Sequence, residues 1–317
     1  MQTLAHEENP TTKHFVLIDG HALIYRAYHA ITALSTSKGQ LVNAVYGFSR
    51  ILLTAMKDLD PEYIAVTFDH PKPTFRHAEY IGYKSTRVEM PEDLRPQVDI
   101  IKQVVTAFNI PQFELPGYEA DDLIGTLATQ ATDLDKDLLT IIVTGDRDAF
   151  QLVSDRVHVW MPARDKTGRD KEYDSAGVKE KMGVQPDQIV DLKSLMGDAS
   201  DSIPGVRGIG EKTAVKLIQE FGTMEKVYEA IQKKEIKPPL TPAIVKKLAE
   251  GQQDAVLSQQ LARIDCHVPI TLELEKCRLS TYKKDTVVEL FDELEFHSLM
   301  RLLPADEFEL DVQEALF

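Results

Sequence analysis

Three short apolar stretches, each ending in an aspartate, constrain the fold of this chain more than any other feature. They are FVLID at 15–19, YIAVTFD at 63–69 and LLTIIVTGD at 138–146. Runs of this length, rich in β-branched residues and separated by helix-like sequence, predict buried strands of a largely parallel sheet flanked by helices. A weaker stretch, QFEL at 112–115, is predicted as a fourth strand. The sequence therefore predicts an α/β fold.

The aspartates that end the three strong strands should lie close together. Asp19, Asp69 and Asp146 each follow a buried stretch, and ligands of open parallel sheets bind at the edge where the strands end. Asp148 follows two residues after Asp146. We therefore expect a cluster of carboxylates at one edge of the sheet.

A helix predicted after the fourth strand brings more acidic residues to this edge. The stretch GYEADDLIGT at 117–126 contains Glu119, Asp121 and Asp122. At 100° per residue Asp121 points away from the other two, so all three serve one site only if the helix begins within the cluster. The alternative is helix capping, because acidic residues in a first turn gain about 0.3–1 kcal/mol each from the helix dipole.

A further acidic pair lies in GDASDSIPG at 197–205. Asp198 and Asp201 are three residues apart and would share one side of a helical end. Gly, Asp, Ser and Pro are also turn formers, so turn chemistry is the alternative for this pair.

Crowded carboxylates repel one another when they leave bulk water, and bound divalent cations relieve that repulsion. Mg²⁺ takes oxygen ligands, and two ions about 3.5–4 Å apart can stabilise both the attacking and the leaving oxygen of a phosphodiester displacement. The combined acidic residues therefore predict a metal site for phosphodiester chemistry.

The chain is acidic overall, but its positive residues are concentrated in two segments. A formal net charge of −15 argues against a polyanionic partner. Segments 70–88 and 204–216 nevertheless carry mostly basic charge. The basic residues are Lys72, Arg76, Lys84 and Arg87 in the first segment and Arg207, Lys212 and Lys216 in the second.

The first basic segment follows Asp69 directly and so begins at the predicted carboxylate edge. Lys84 and Arg87 are three residues apart and would share a helical face, with Tyr83 beside them as a ring on which a base could stack. These cations could hold a phosphate at the site. A solvated surface helix is the alternative.

The second basic segment contains GVRGIGEK at 205–212, which lacks the spacing of a dinucleotide fingerprint. A helix–hairpin–helix fits better, because Gly205, Gly208 and Gly210 would let backbone N–H groups approach a phosphate. A plain connection between two helices is the alternative. Helices of this second half of the chain are predicted at 186–198, 211–221, 224–234, 242–252 and 286–303.

Other features exclude several classes of protein. The polar opening has no signal-peptide core, and no run approaches the roughly 18 apolar residues of a membrane span, so a cytoplasmic protein with no membrane partner is expected. Cys266 and Cys277 do not have metal-knuckle spacing and are expected to be reduced thiols.

Several segments in order resemble one known family, the 5′-nuclease domain at the N-terminus of bacterial DNA polymerase I, which is related to flap endonucleases. The segments are LIDGHALIYRAYHA, AVYGFSR, FDHPKPTFRHAEYIGYKSTR, PGYEADDLIGTLA, TGDRDAFQLVSD, LMGDASDSIPGVRGIGEKTA and LEFHSLM, running from about residue 14 to 304. TGDRD stands where many relatives have TADKD, which changes neither aspartate.

The resemblance implies a two-metal nuclease that cuts 5′ flaps of DNA and removes nucleotides from 5′ ends in replication and repair. It implies Mg²⁺ as the cofactor, replaceable by Mn²⁺, and K⁺ at the hairpin. The implied metal ligands are Asp19, Asp69, Glu119, Asp121, Asp122, Asp146, Asp148, Asp198 and Asp201. Catalytic roles are implied for Lys84, Arg87, Asp121 and Asp146. The implied DNA-binding residues are Arg26, Arg76, Tyr83, Lys84, Arg87, Gly205, Arg207, Gly208, Gly210, Lys212 and Lys216.

The resemblance also implies a domain organisation. A tail at 1–13 precedes a PIN-like α/β nuclease core at 14–180, in which a helical arch at about 71–100 covers the site. A helical DNA-binding region with the helix–hairpin–helix occupies 181–304, and 305–317 is a tail or linker. The chain is then either an excised domain of a polymerase or a free-standing nuclease.

The final QEALF resembles the short peptide by which bacterial proteins bind the sliding clamp, with Gln313, Leu316 and Phe317 as the contact residues.

Two functions other than a 5′ nuclease are also compatible with parts of this sequence. A catalytically inactive DNA-junction binding module would need positive charge and gain nothing from nine carboxylates. A topoisomerase–primase-type site would use Asp146 and Asp148 but gives the basic segment and the hairpin no role.

Overall fold

The computed structural model describes residues 13–163, 168–279 and 282–305. Its centre is a six-stranded sheet with the order β3-β2-β1-β4-β5-β6, in which only β6 is antiparallel to its neighbour. The strands are β1 Lys13–Asp19, β2 Tyr63–Thr67, β3 Gln112–Phe113, β4 Leu138–Val143, β5 Val157–Met161 and β6 Lys171–Tyr173. The predicted α/β fold class with a largely parallel sheet is confirmed.

Helices cover both faces of the sheet. The described helices are α1 Gly20–Ala30, α2 Asn43–Leu59, α3 Phe75–Glu79, α4 Arg95–Ala107, α5 Ala120–Leu134, α6 Ser175–Met182, α7 Ile189–Met196, α8 Glu211–Phe221, α9 Met224–Gln232, α10 Pro242–Glu250, α11 Gln252–Ala262, α12 Lys284–Glu293 and α13 His297–Met300. Short 3₁₀ turns occupy Asp148–Leu152, Pro186–Gln188 and Leu274–Cys277. None of the helices in the described ranges is both long and apolar enough to cross a bilayer.

Alternate residues of each central strand pack into different cores, as strand geometry requires. Phe15 and Leu17 of β1 join the core that includes α5 and the helical second half of the chain. Val16 and Ile18 join the core formed with α2, α4 and α12. Both faces of the sheet are therefore buried, which explains why its strands are continuously apolar.

The first predicted strand ends at Asp19, as β1 does, but the other two strong predicted strands were too long at their carboxyl ends. β2 ends at Thr67 and β4 at Val143, so Asp69 lies two residues and Asp146 three residues beyond the strand ends. The chain leaves the sheet there and turns the aspartates toward the space above the edge. The weak fourth strand shrinks to two residues, and β5 and β6 were not predicted.

The segment predicted as an arch joins α3 to α4 through turns at 81–86. Lys84 adopts a left-handed backbone with φ of 52°, so Lys84 and Arg87 do not share a helical face as predicted. The reason is a tertiary contact, since the backbone N–H of Lys84 donates to the carbonyl of Asp201 at 2.9 Å.

The predicted hairpin is the loop 197–210 between α7 and α8. Helix α7 ends at Met196, so Asp198 and Asp201 lie in a turn and not on a helical end as predicted. Gly205, with φ of +59°, approaches so closely that a Cβ on it would lie 2.2 Å from the backbone nitrogen of Gly197. Its own N–H donates to the hydroxyl of Ser258 on α11 at 2.9 Å.

The predicted tails fall almost entirely outside the described residues. Residues 1–12 and 306–317 are not described, and the clamp residues Gln313, Leu316 and Phe317 lie in the second of these ranges. Lys13, which was assigned to the first tail, begins β1.

We predict that Gly205→Ala lowers the free energy of unfolding by at least about 2 kcal/mol, because it adds both a steric overlap and backbone strain. Gly210 is the matched control. It has no atom within 4 Å of a would-be Cβ and an ordinary φ of −98°. Gly210→Ala should cost less than about 1 kcal/mol, as a cap replacement does. Urea denaturation of both variants measures the difference, and equal losses would contradict the close approach.

Candidate active site

Asp19 ends β1 and caps the next helix. Its carboxylate accepts the backbone N–H of Ala22 at 3.1 Å, as an N-cap residue does. Its other oxygen accepts the hydroxyl of Thr144 at 2.7 Å, and that same hydroxyl accepts the backbone N–H of Asp146 at 3.0 Å. Thr144, which was not among the predicted site residues, is fully buried and connects Asp19 to Asp146 through these two hydrogen bonds. The segment TGD after β4 was the available signal.

Asp69 is connected to two other elements at the same edge. Its carboxylate accepts the backbone N–H of Ala120 at 2.8 Å, in the first turn of α5. Its own N–H donates to Nδ1 of His21 on α1 at 2.9 Å. A helix N-terminus favours negative charge, so this contact also stabilises the Asp69 carboxylate.

Helix α5 begins inside the acidic cluster, at Ala120. Glu119 is therefore the N-cap residue, and Asp121 and Asp122 occupy the first turn. This start brings Glu119 and Asp121 to the same cavity, whereas Asp122 faces the protein interior.

The placement of Asp122 and Arg76 corrects the predicted roles of both residues. Asp122 is fully buried, and its oxygens accept two hydrogen bonds from the Arg76 guanidinium, at 2.7 and 2.8 Å. They also accept the backbone N–H groups of Glu119 and Asp265. Arg76 is 3% exposed and is not placed to contact DNA. The pair anchors α3 to α5 instead of forming part of the predicted metal site or DNA surface.

Five of the eight remaining predicted carboxylates line a cavity of about 350 Å³ at the carboxyl edge of the sheet. Its acidic residues come from different elements, and the side chains of Lys84 and Arg87 also line it. The acidic lining residues are Asp19, Asp69, Glu119, Asp121 and Asp146. Five of the predicted ligands therefore share one cavity with the two predicted catalytic cations.

Burial and mutual repulsion shift the titration of these aspartates. Burial raises the pKa of Asp19 to about 7. The hydrogen bond from Thr144 lowers this pKa in part, and the negative charge of Asp69 raises it further. Burial also raises the pKa of Asp121 well above its usual range, assisted by the charges of Asp19 and Asp146. The protein thus holds these groups where negative charge is unfavourable unless a cation is present.

A second, more open cavity of about 930 Å³ adjoins the first, and Asp146 borders both. Asp148 and Asp198 line it together with Lys193 of α7. The Lys193 ammonium contacts Asp148 and lies 2.6 Å from Asp198. Lys193 was not among the predicted site residues, and the only available signal was a lysine within the predicted helix 186–198.

Lys193 affects its two partners differently. Burial raises the pKa of Asp148 to about 7, although Lys193 opposes this. Burial also acts on Asp198, but there the Lys193 ammonium prevails and holds the pKa below its usual range.

The turn segment, residues 81–87, contacts the acidic residues directly. The Lys84 ammonium lies 2.8 Å from Glu119, and the Arg87 guanidinium lies 2.6 Å from Asp201. Tyr83 donates its hydroxyl to Glu119 at 3.0 Å and is only 3% exposed. The predicted role of Tyr83 as a base-stacking ring is therefore wrong, because its ring is packed in the interior.

The other predicted DNA-binding residues lie farther from the carboxylates. Arg207, Lys212 and Lys216 are exposed on and beside the loop 197–210. The guanidinium of Arg26 donates to the backbone carbonyls of Pro162, at 2.6 Å, and of Ala163. Arg26 also lines the second cavity, where it holds the chain that follows β5.

Comparison with known proteins decides the family. The family model for the 5′-3′ exonuclease, N-terminal resolvase-like domain, matches residues 14–183, and that for the 5′-3′ exonuclease, C-terminal SAM fold, matches residues 184–285. The chain belongs to the 5′-3′ exonuclease family. The resemblance found in the sequence is thereby confirmed.

Two relatives of this exonuclease chain are named DNA polymerase I. The protein of Chloroflexus aurantiacus is 45% identical over 298 residues, which are 92% of this chain and 31% of the relative. That of Bacillus subtilis is 39% identical over 306 residues, which are 96% of this chain and 34% of the relative. The chain spans about a third of the length of these curated relatives.

Solved structures share the exonuclease fold at low sequence identity. The T5 D15 protein crystallised with metal ions matches with a TM-score of 0.63 and 20% identity, over 89% of this chain and 98% of that one. The catalytic core of Rad2 in complex with DNA substrate matches with a TM-score of 0.59 and 16% identity, over 92% and 93%.

The donor chemistry of the exonuclease site fits a hard divalent cation, because the groups are oxygen donors whose raised pKa values a nearby cation would lower again. Within the described ranges, no three His, Cys, Asp or Glu side chains are arranged so that they could hold a metal ion. Lysine ammonium groups instead contact Glu119, Asp148 and Asp198.

We predict a pH-dependent stability difference between the chelator-treated protein and its Asp19→Asn variant. A carboxyl whose folded pKa is raised to about 7 stabilises the fold while protonated and loses this contribution as pH rises through that value. Asparagine does not titrate. The variant should therefore gain stability relative to the unmodified protein between pH 5 and about pH 8. Denaturant unfolding across this range measures the difference, and a constant difference would contradict the shifted titration.

Proposed function

We propose that this chain is a Mg²⁺-dependent 5′ nuclease that cuts DNA flaps near their junction with duplex and trims 5′ ends. The observation that carries the proposal is the cavity in which carboxylates from several elements face Lys84 and Arg87. Such opposition of anionic and cationic walls suits a site that takes both divalent cations and a phosphodiester.

We assign metal binding to the acidic residues of the site and phosphodiester binding to the basic ones. Bound divalent ions would supply charge neutralisation and Lewis-acid activation of the phosphodiester. Asp19, Asp69, Asp121 and Asp146 are proposed to hold them at the first cavity, and Asp148 and Asp198 at the second. Mn²⁺ is proposed to substitute, because it shares the preference for oxygen ligands.

Lys84 and Arg87 are proposed to bind and orient the phosphodiester. Glu119 and Asp201 hold their cationic groups at 2.8 and 2.6 Å. Burial opposes the charged form of Lys84, but these two carboxylates keep its pKa above the usual range. The ammonium is thus charged at neutral pH and aimed at the cavity before substrate arrives, which reduces the cost of orienting it.

The loop 197–210 is proposed to hold the duplex backbone. Gly208 and Gly210 expose backbone next to Arg207, Lys212 and Lys216. Contacts of this kind read phosphates and not base sequence.

We also propose that K⁺ binds at this loop, where the carbonyl of Gly208 already accepts a lysine ammonium at 3.0 Å. Replacing K⁺ by Li⁺ in the buffer should then weaken binding of the flap, and an unchanged flap affinity would contradict the proposal.

Cleavage of a 5′-labelled flap by Asp121→Asn and Asp146→Asn tests the activity. We expect each variant to lose at least roughly 100-fold in rate, as removal of a group that stabilises developing charge does, while flap binding is retained. Asp133→Asn is the control, because Asp133 is exposed on the same helix as Asp121. Its rate should be unchanged.

The outcomes separate the rival functions. Near-normal turnover in both site variants would contradict the metal assignment. If the unmodified protein binds the flap but releases no product with Mg²⁺, a DNA-junction binding module is the correct reading. Product lengths from flap, nicked duplex and single strand distinguish endonucleolytic from stepwise cutting.

The relatives support proposals about partners and location. Since two are bacterial proteins named DNA polymerase I, we propose a bacterial cytoplasmic location and, in a longer parent chain, a linked polymerase. Cell fractionation checks the location.

We further propose that Gln313, Leu316 and Phe317 bind the sliding clamp. Removing 313–317 should abolish retention of the chain on immobilised clamp. Equal retention with and without these residues would exclude the motif.

A further inference from the structure

The carboxylates of the two cavities differ in how they are neutralised. Among the described residues, no lysine or arginine lies within salt-bridge distance of Asp19, Asp69, Asp121 or Asp146. Asp148 and Asp198 of the second cavity, by contrast, both contact the Lys193 ammonium. Within the described ranges, the first group therefore has no lysine or arginine counter-charge of its own, whereas the second group shares the Lys193 ammonium.

Lys193 is built into the protein and is not a mobile surface lysine. Lys193 is 4% exposed and lies on α7, where the residues before and after it, Leu192 and Ser194, are also buried. The stem of the side chain therefore has little freedom, and the ammonium is directed between the two carboxylates. The oxygens that it contacts are those that a metal ion at the second cavity would need.

We propose that Lys193 is an internal competitor of the second divalent ion. Its ammonium takes the position between Asp148 and Asp198 in the metal-free protein, and an ion can bind there only by displacing it. The second ion consequently binds more weakly than the first, because it must first break two ion pairs. This inference rests on the proposed function, since it assumes that the carboxylates bind divalent ions.

The competition gives the two cavities an order of loading. The first cavity offers carboxylates whose repulsion an ion relieves, so binding there is favoured at low metal concentration. At the second cavity, Asp148 and Asp198 already share the ammonium of Lys193. The chain thereby keeps its first ion bound while the second position remains sensitive to metal concentration.

Mn²⁺ binding to the metal-free protein, without DNA, tests the proposal through the electron paramagnetic resonance signal of free Mn²⁺. The unmodified protein should bind one ion tightly and one weakly. Lys193→Met should tighten the weak ion roughly tenfold or more, because a competing charge a few ångströms away is removed. Lys193→Gln provides a second neutral variant if the first fails to fold, and Lys193→Arg should keep the weak affinity.

Lys57→Met is the matched control. It removes the same charge from an exposed lysine of α2 that lines neither cavity, and it should leave both affinities unchanged. An unchanged or weakened second affinity in the folded neutral Lys193 variants would overturn the competition. Failure of the unmodified protein to bind any Mn²⁺ would instead remove the proposed metal-dependent function itself.

Discussion

Repulsion among carboxylates at the carboxyl edge of the sheet is the interaction to which the rest of this structure responds. Because β1 pairs in parallel with both β2 and β4, the aspartates that follow these strands, Asp19, Asp69 and Asp146, all lie at the same edge of the sheet. The protein meets the resulting charge with hydrogen bonds from Thr144 and from the first turn of α5. Burial outweighs those contacts and raises the pKa of Asp19 to about 7, with a smaller contribution from the charge of Asp69.

A buried ion pair determines how the turn segment lies over this edge. Arg76 and Asp122 are both almost fully buried and form a two-point contact between α3 and α5. A pair of this kind adds little net stability but strongly penalises any arrangement that separates its members. It therefore fixes the start of the segment that carries Lys84 and Arg87, so both cations reach the cavity without a continuous helix.

The sequence could predict which residues gather at the site but not which way each one faces. The topology of the parallel strands sets the edge at which Asp19, Asp69 and Asp146 lie, so the pattern alone predicted that edge, although Asp69 and Asp146 follow their strands by two and three residues. Asp122 and Tyr83 were assigned to the site by their neighbours in sequence. Their direction is set by Arg76 and Glu119, partners at distant positions in the chain. No local pattern carries that information.

Lys193 is the converse case, a site residue that the sequence did not predict. A lysine on an amphipathic helix predicts a solvated ammonium on a buried stem. This ammonium instead has two carboxylates within reach, because the loop after α7 folds back over it. The contrast between the aspartates of the first cavity and the compensated pair of Asp148 and Asp198 thus depends on one helix position, five residues before Asp198. An uncharged residue there would leave that pair without the ammonium that both carboxylates contact.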